Sequence, residues 1–267
     1  MNKLKLGISL HTVTSDISEK GLAMFKGSDV KTFEIMQSLF DNDKGSKQKK
    51  RLRNFLKKSR IKAETIHSRF GGWYDLSSTD PEVRKRAVQS TCDAVEMAVF
   101  FDAPMIVIHA SAEPIGNSER KTRKILAIES LRQVHAKSCE LRKKLAVELL
   151  PRTCLGNTVD ELLEIIAPFN DGSVGACLDV NHLMSDYRSI PKVVKKIGKK
   201  LITLHLSDYD GIDEQHWLPG NGVIEWKKFM KALDEIDYKG PFNYECSFRP
   251  NERLRMISKN YSWLINK

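Results

Sequence analysis

The chain has 267 residues, 41% of them hydrophobic, and its 44 Lys and Arg outnumber its 34 Asp and Glu, for a formal net charge of +10. This length and apolar content suffice for a substantial core, and no apolar run approaches the roughly 20 residues a bilayer-spanning helix requires. The N-terminus lacks a signal-peptide layout, and the five cysteines are scattered without a CxxC pair. Together they predict a cytoplasmic chain with free thiols rather than a disulfide framework or a thiolate zinc site.

Along the chain a two-beat pattern recurs, in which a short apolar or β-branched run precedes a charged segment with helical spacing. The strand candidates are "LKLGISLH", "VKTFEIMQ", "KAETIHS", "PMIVIHAS", "LAVELLP", "GACLDVNH", "LITLHLSD" and "PFNYECSF". Helical stretches between them include "DPEVRKRAVQSTCDAVEMAVFF", "TVDELLEIIAPF", "PKVVKKIGKK" and "IEWKKFMKALDEI". The first two begin with Asp or Thr at the cap and acids in the first turn. No Pro/Gly/Ser linker interrupts the repeats, so the pattern predicts an α/β protein with one (β/α)8 barrel domain over residues 1–267. A doubly wound open sheet is the alternative, weakened because no Gly-rich phosphate loop follows the first strand.

Successive side chains of a strand point to opposite faces. In these runs one parity is apolar, and the other combines small residues with one ionisable group near the strand's end. Ala146 shares a parity with Glu148, Cys177 with Asp179, Thr203 with His205, and Asn243 with Glu245. Val107 goes with His109, Ala63 and Thr65 with His67, Ser9 with His11, and Thr32 and Met36 with Glu34, whereas Ile202 and Leu204 fall on the apolar parity. If the small parity faces the barrel axis, these groups converge at the C-terminal mouth, where barrel active sites are built. Glu148 and Asp179 then face each other, with His205 and Glu245 alongside. Three carboxylates and an imidazole need a neutralising cation. One divalent metal ion fits this donor set, Mn²⁺ or Zn²⁺ foremost, with Mg²⁺ and Co²⁺ also compatible.

These residues resemble the xylose isomerase-like barrels, a group that includes sugar isomerases and epimerases, inosose isomerases and endonuclease IV. The resemblance is carried by "IHSRFGGWYDLSSTDPEVRKRAVQ", "VIHAS", "GACLDVNHL", "LHLSDYDG", "HWLPGNGVIEW" and "YEC", and covers nearly the whole chain. It implies metal ligands at Glu148, Asp179, His205 and Glu245. By similarity to ketose epimerases, Glu148 and Glu245 would take and return a proton beside a carbonyl on opposite faces of a sugar or sugar derivative, through a metal-stabilised enediolate. His67, His109, His182, His216, Arg69 and Arg152 would bind that substrate. The arginine that those enzymes carry shortly after the metal histidine is missing, and "SDYDGID" occupies the region.

The rival reading is an endonuclease IV-like enzyme that cleaves abasic DNA with three zinc ions. Its extra ligands would map to His67, His109, His182 and the Glu214/His216 pair. A nuclease needs cations beside the site, yet "KQKKRLRNFLKKSRIK", "ELRKK" and "KKIGKK" each end just before a strand begins, at the far end of a barrel. On the mouth side the cations are Arg69, Arg152 and Arg249. This placement favours a small-molecule sugar over nucleic acid as partner, and nothing suggests a membrane. Oligomers are common in the resembled family, so a homo-oligomer is compatible with it. His135, within a long helix, reads as a surface or core residue, and Cys177 and Cys246 as packing. Trp73 and Trp217 fall on mouth-side loops as candidate lids, and Trp226 and Trp263 in helices as packing.

Overall fold

The computed structural model describes residues 4–247 and 253–266, with the side chain of residue 253 left out. Its strands are β1 Leu6–Ser9, β2 Thr32–Met36, β3 Lys62–His67, β4 Met105–Ile108, β5 Lys144–Leu149, β6 Val174–Asp179, β7 Leu201–Leu206, β8 Asp208–Tyr209, β9 Glu214–Trp217 and β10 Phe242–Tyr244. Its α-helices are α1 Leu10–Val13, α2 Glu19–Ala23, α3 Gly45–Lys58, α4 Pro81–Phe101, α5 Asn117–Glu140, α6 Val159–Ile166, α7 Ile190–Ile197, α8 Trp226–Glu235 and α9 Arg253–Ile265. Seven strands, β1 to β7, pair in parallel with β10 and close a barrel in the order β1-β10-β7-β6-β5-β4-β3-β2, while β8 and β9 form a separate antiparallel hairpin. Six of the barrel strands lie inside one of the eight runs named above, and β5 and β6 each begin one residue before theirs, at Lys144 and Val174. The open doubly wound sheet is thereby ruled out. Among the described residues no helix is long and apolar enough to cross a membrane.

Local chemistry starts the helices where the sequence signals them. The Asp80 carboxylate accepts from the amides of Glu82 and Val83 at the start of α4, and the Thr158 hydroxyl accepts from the Glu161 amide at the start of α6. The basic helix α3 buries Leu52 and rests Phe55 and Leu56 against the core, so its cations stay on the solvated face.

Alternation along the strands separates two apolar clusters. Ile106, Ile108, Leu145, Val147, Ala176, Leu178 and Leu204 pack outward under the helices. Val107, Ala146 and Cys177 form a small plug inside the barrel. Two register slips break the simple pattern. Between β6 and β7 the pairing jumps at Ala176/Cys177, and Ile202, expected beside Leu204, packs instead against the inner plug. Between β2 and β3 it jumps at Phe33/Glu34, which pairs Ala63 with Phe33 in the outer core and sets Thr65 opposite Glu34.

Candidate active site at the barrel mouth

Above the inner plug the small parity turns polar. Glu148 is the last residue but one of β5, Asp179 ends β6, His205 lies near the end of β7, and Glu245 follows β10 by one residue. Their ligand atoms all lie within 4.8 Å of one another. His205 Nδ1 is 3.1 Å from Glu148 Oε1 and 2.8 Å from Glu245 Oε2. Its other nitrogen, Nε2, is 3.0 Å from Glu34 Oε2. The ring is fully buried and gripped on both edges by carboxylates.

Glu34 is held as completely. It accepts from the Ser9 hydroxyl at 2.5 Å on one oxygen and from the Thr65 hydroxyl at 2.9 Å on the other, and Asn243 Nδ2 backs Ser9 at 3.0 Å. Strand parity had put Glu34 on the inner face, but its part in orienting His205 emerges only when β1, β3, β7 and β10 are brought around it.

Glu148 is the hub. His67 Nε2 lies 3.3 Å and His109 Nε2 3.1 Å from one of its oxygens, while His182 Nδ1 is 3.5 Å from the other. The His67 Nδ1 is 2.8 Å from the Ser68 carbonyl, which leaves Nε2 to face Glu148. Burial alone would push Glu148 above the usual carboxylate range, but His205 and His109 outweigh it and hold the group well below. Burial likewise works against charging His67, yet its bond to Glu148 and the nearby Glu34 charge raise it to about 9. His109 moves the other way, downward, because burial dominates there. Asp179 is raised by burial, opposed by His182.

Among the described residues, three buried polar atoms lining this site lack a hydrogen-bond partner, His11 Nδ1, Glu214 Oε2 and, deepest among the carboxylates, Asp179 Oδ2. Asp179 Oδ1 accepts from the Asn181 amide at 2.8 Å, but Oδ2 is buried with no hydrogen-bond partner. An unpaired buried carboxylate oxygen is costly. His182 Nε2 lies 3.6 Å from it, beyond hydrogen-bond length. A second group with ligand atoms within 4.8 Å of one another comprises Asp179, His182 and His216.

The cluster floors a cavity of about 430 Å³ lined also by His11, Phe70, Arg152 and Glu214. Phe70 stacks on His109 with ring centroids 4.4 Å apart, walling one side with an aromatic face. At the rim Arg152 reaches Glu214 at 3.0 Å, Asp213 at 2.8 Å and Glu113 at 3.3 Å, tying the hairpin β8–β9 to the loops after β4 and β5.

Other expected groups fall elsewhere. Arg69 turns away from the cavity: its guanidinium binds Asp41 and Ser90 and lines an outer pocket with Gln37, Asp93 and Glu96. The residue follows β3, but a long side chain goes where its partner carboxylate is. Arg249 lies outside the described residues. Trp73 and Trp217 are exposed and do not line the cavity. Trp226, expected to pack, also donates Nε1–H to Asp208 at 2.8 Å.

Asp208 itself, one residue beyond Ser207 and fully buried, escaped the sequence reading. Besides Trp226 it accepts from the amides of Tyr209, Gly220 and Ile224, pinning the "LPGNG" loop onto the barrel. A side chain at Gly222 would stand 2.6 Å from the Asp208 carboxylate and 2.1 Å from the Tyr209 carbonyl, and Gly220 has a φ of +94°, which explains the two glycines of this loop.

Residues 23–267 match the family model described as xylose isomerase-like TIM barrel. The chain is 23% identical over 172 residues to a D-psicose 3-epimerase from Enterocloster bolteae, covering 62% of this chain and 56% of that protein. It is 27% identical over 210 residues to a probable endonuclease 4 from Persephonella marina, covering 69% of this chain and 72% of that one. The crystal structure of a D-tagatose 3-epimerase-like protein superposes with a TM-score of 0.85 at 21% identity, over 98% of this chain and 96% of the other.

Proposed function

The chain belongs to the xylose isomerase-like TIM-barrel family, and from that premise we propose that it is a divalent-metal-dependent epimerase or isomerase of a sugar or sugar derivative. The observation that carries this reading is the pairing of two carboxylates, Glu148 and Glu245, on one imidazole at the floor of a cavity of monosaccharide scale, next to a buried carboxylate oxygen that lacks a partner. The donor set fits a metal: Glu148, Asp179, His205 and Glu245 offer three hard oxygens and one nitrogen, and Asp179 Oδ2 needs a cation to offset its burial. When bound, a divalent ion would polarise the substrate carbonyl and acidify the neighbouring C–H bond.

The chain's own groups supply the rest. Glu148 and Glu245 are the proton carriers, one removing a proton from the carbon beside the carbonyl and the other returning one. Glu34 holds the His205 ring in place from behind. His109 and His182, with Arg152 and Glu214 above them, meet substrate hydroxyls. Phe70 offers an apolar face to a sugar ring and helps exclude water. The scattered free cysteines suit a cytoplasmic site of action.

A second reading has one specific observation behind it. Asp179, His182 and His216 could hold a further ion, as an abasic-site endonuclease would require. The surroundings favour the sugar. Among the described residues Arg152 is the one arginine or lysine that lines the cavity, and three carboxylates already engage it, while the raised His67 is spent on Glu148, which leaves little to hold a phosphate backbone.

The test is solvent exchange. The Mn²⁺-loaded protein is incubated in D₂O with a panel of ketoses, D-psicose included, and inososes. Deuterium should enter the carbon beside the carbonyl of a turned-over substrate, and Glu148→Gln should abolish this. No incorporation across the panel, together with cleavage of an abasic duplex by the zinc-loaded protein, would overturn the proposal in favour of the nuclease.

A further inference from the structure

At the opposite end of the barrel, three side chains of different chemistry meet around one point. His135 and Cys139 sit four residues apart on the last turns of α5, a spacing that puts both on one face. Asp171 comes from the loop between α6 and β6. His135 Nε2 lies 3.0 Å from Asp171 Oδ2 and 3.2 Å from Cys139 Sγ, and that thiol lies 3.8 Å from the same carboxylate oxygen. The Ser173 hydroxyl is 2.7 Å from the same ring nitrogen.

This arrangement is poor as a set of hydrogen bonds. One Nε2–H can donate to one acceptor, yet three candidates crowd it. It is also wrong for a catalytic triad. A relay needs the thiol on one ring nitrogen and the carboxylate on the other, whereas here both approach Nε2. The triangle does match a tetrahedral metal site, in which zinc bond lengths place neighbouring N, O and S ligands about 3.3–3.6 Å apart. The carboxylate is held for that purpose. Its other oxygen, Oδ1, accepts from the Ser173 amide at 2.9 Å and the Ser173 hydroxyl at 2.5 Å, which leaves Oδ2 facing the histidine and the thiol.

We propose that His135, Cys139 and Asp171 form a binding site for a zinc-class divalent cation, distinct from the mouth and unconnected with the sugar chemistry. A thiolate with an imidazole and one carboxylate selects a borderline-soft ion such as Zn²⁺ over Mg²⁺, Ca²⁺ or Mn²⁺. The site is open to solvent: the His135 side chain is 22% and the Asp171 side chain 47% exposed. An ion can therefore enter directly, and a water or the Ser173 hydroxyl completes the shell. Bound metal would clip the end of α5 to the loop that feeds β6, as a staple on the scaffold.

The test uses the full chain stripped of metal by chelator and titrated with Co²⁺. A sulfur-to-cobalt charge-transfer band in the near ultraviolet should appear, be displaced by Zn²⁺, and vanish in Cys139→Ser. His135→Gln and Asp171→Asn should each weaken the band's apparent affinity by more than about tenfold. Zn²⁺ should also raise the melting temperature of the parent chain more than that of Cys139→Ser. A parent chain without the band would overturn the proposal, as would a band that survives Cys139→Ser and so belongs to another thiol. An affinity unchanged in both His135→Gln and Asp171→Asn would reduce the site to a single reactive thiol and equally overturn it.

Discussion

At the mouth of the barrel Glu34, Glu148, Asp179 and His205 are almost wholly out of water; at the base His135, Cys139 and Asp171 stand partly in it. The two clusters use overlapping donor types but hold their charge differently. The buried carboxylates cannot rely on solvent, so Glu34 and Glu148 are met by imidazoles a hydrogen-bond length away, while Asp179 has His182 only at 3.6 Å. Four histidines, His67, His109, His182 and His205, surround Glu148 alone. At the base, water screens whatever the protein leaves unpaired. Every change at the mouth should therefore alter a shared charge balance, whereas a change at the base should alter one binding event and little else.

The largest effect that breaks this contrast is expected at Glu148. Glu148→Gln keeps the volume but removes both the proposed proton carrier and the charge that His67, His109 and His205 share. Deuterium incorporation into substrate should fall by roughly 10²–10⁴-fold, and dialysis followed by metal analysis should show the mouth's ion lost. Activity retained within a few-fold would remove Glu148 from the proton path.

How far the sequence reveals each cluster follows from the same physics. Strand alternation is local, so Glu148, Asp179, His205, Glu245, His67 and His109 could be assigned to one face before any fold was known. The later residues needed long-range geometry. Glu34 gains its role from hydroxyls and an amide on three other strands. Asp208 works through loop amides, which leave no side-chain pattern to read. Ile202 and Ala63 were misplaced because a bulge in the pairing is invisible to a strict period of two. Arg69 was misplaced because its position after a strand did not fix the direction of its long side chain. The spacing of His135 and Cys139 was readable, but nothing in the sequence joined Asp171 to them across 32 residues.

Next in size comes stability at the loop anchor. Asp208→Ala leaves the Trp226 indole N–H and the amides of Gly220 and Ile224 without their acceptor. Unfolding free energy should drop by about 3 kcal/mol in denaturant titration. A loss below about 1 kcal/mol would mean that water replaces the carboxylate there.

The pH dependence of the metal-free protein probes the mouth's charge balance directly. His67 is raised above its unfolded value to about 9 through Glu148 and Glu34. Its contribution to stability is then complete below about pH 6.5 and lost as pH rises toward 9. Melting curves across that window should show the decline, and the His67 ring should titrate near its upper end by NMR. A divalent ion added at the mouth takes over the neutralising role, releases protons and flattens the decline. A His67 that titrates near 6.5 in the metal-free chain would show that Glu148 is neutralised by its other neighbours.

The smallest effect is the one that most sharpens the contrast. In metal-free protein, Cys139→Ser should change unfolding free energy by less than about 0.5 kcal/mol, because the thiol is exposed and its neighbours keep water as a partner. The conservative change Glu34→Gln at the mouth should cost several times that, since the amide would confront the Ser9 and Thr65 hydroxyls that now donate to a carboxylate, and His205 would lose a charged partner. Denaturant midpoints for the two variants, measured side by side without metal, compare burial itself. If Glu34→Gln is as mild as Cys139→Ser, the mouth is wetter than its packing implies. The imidazoles around Glu148 would then be substrate contacts first and charge partners second.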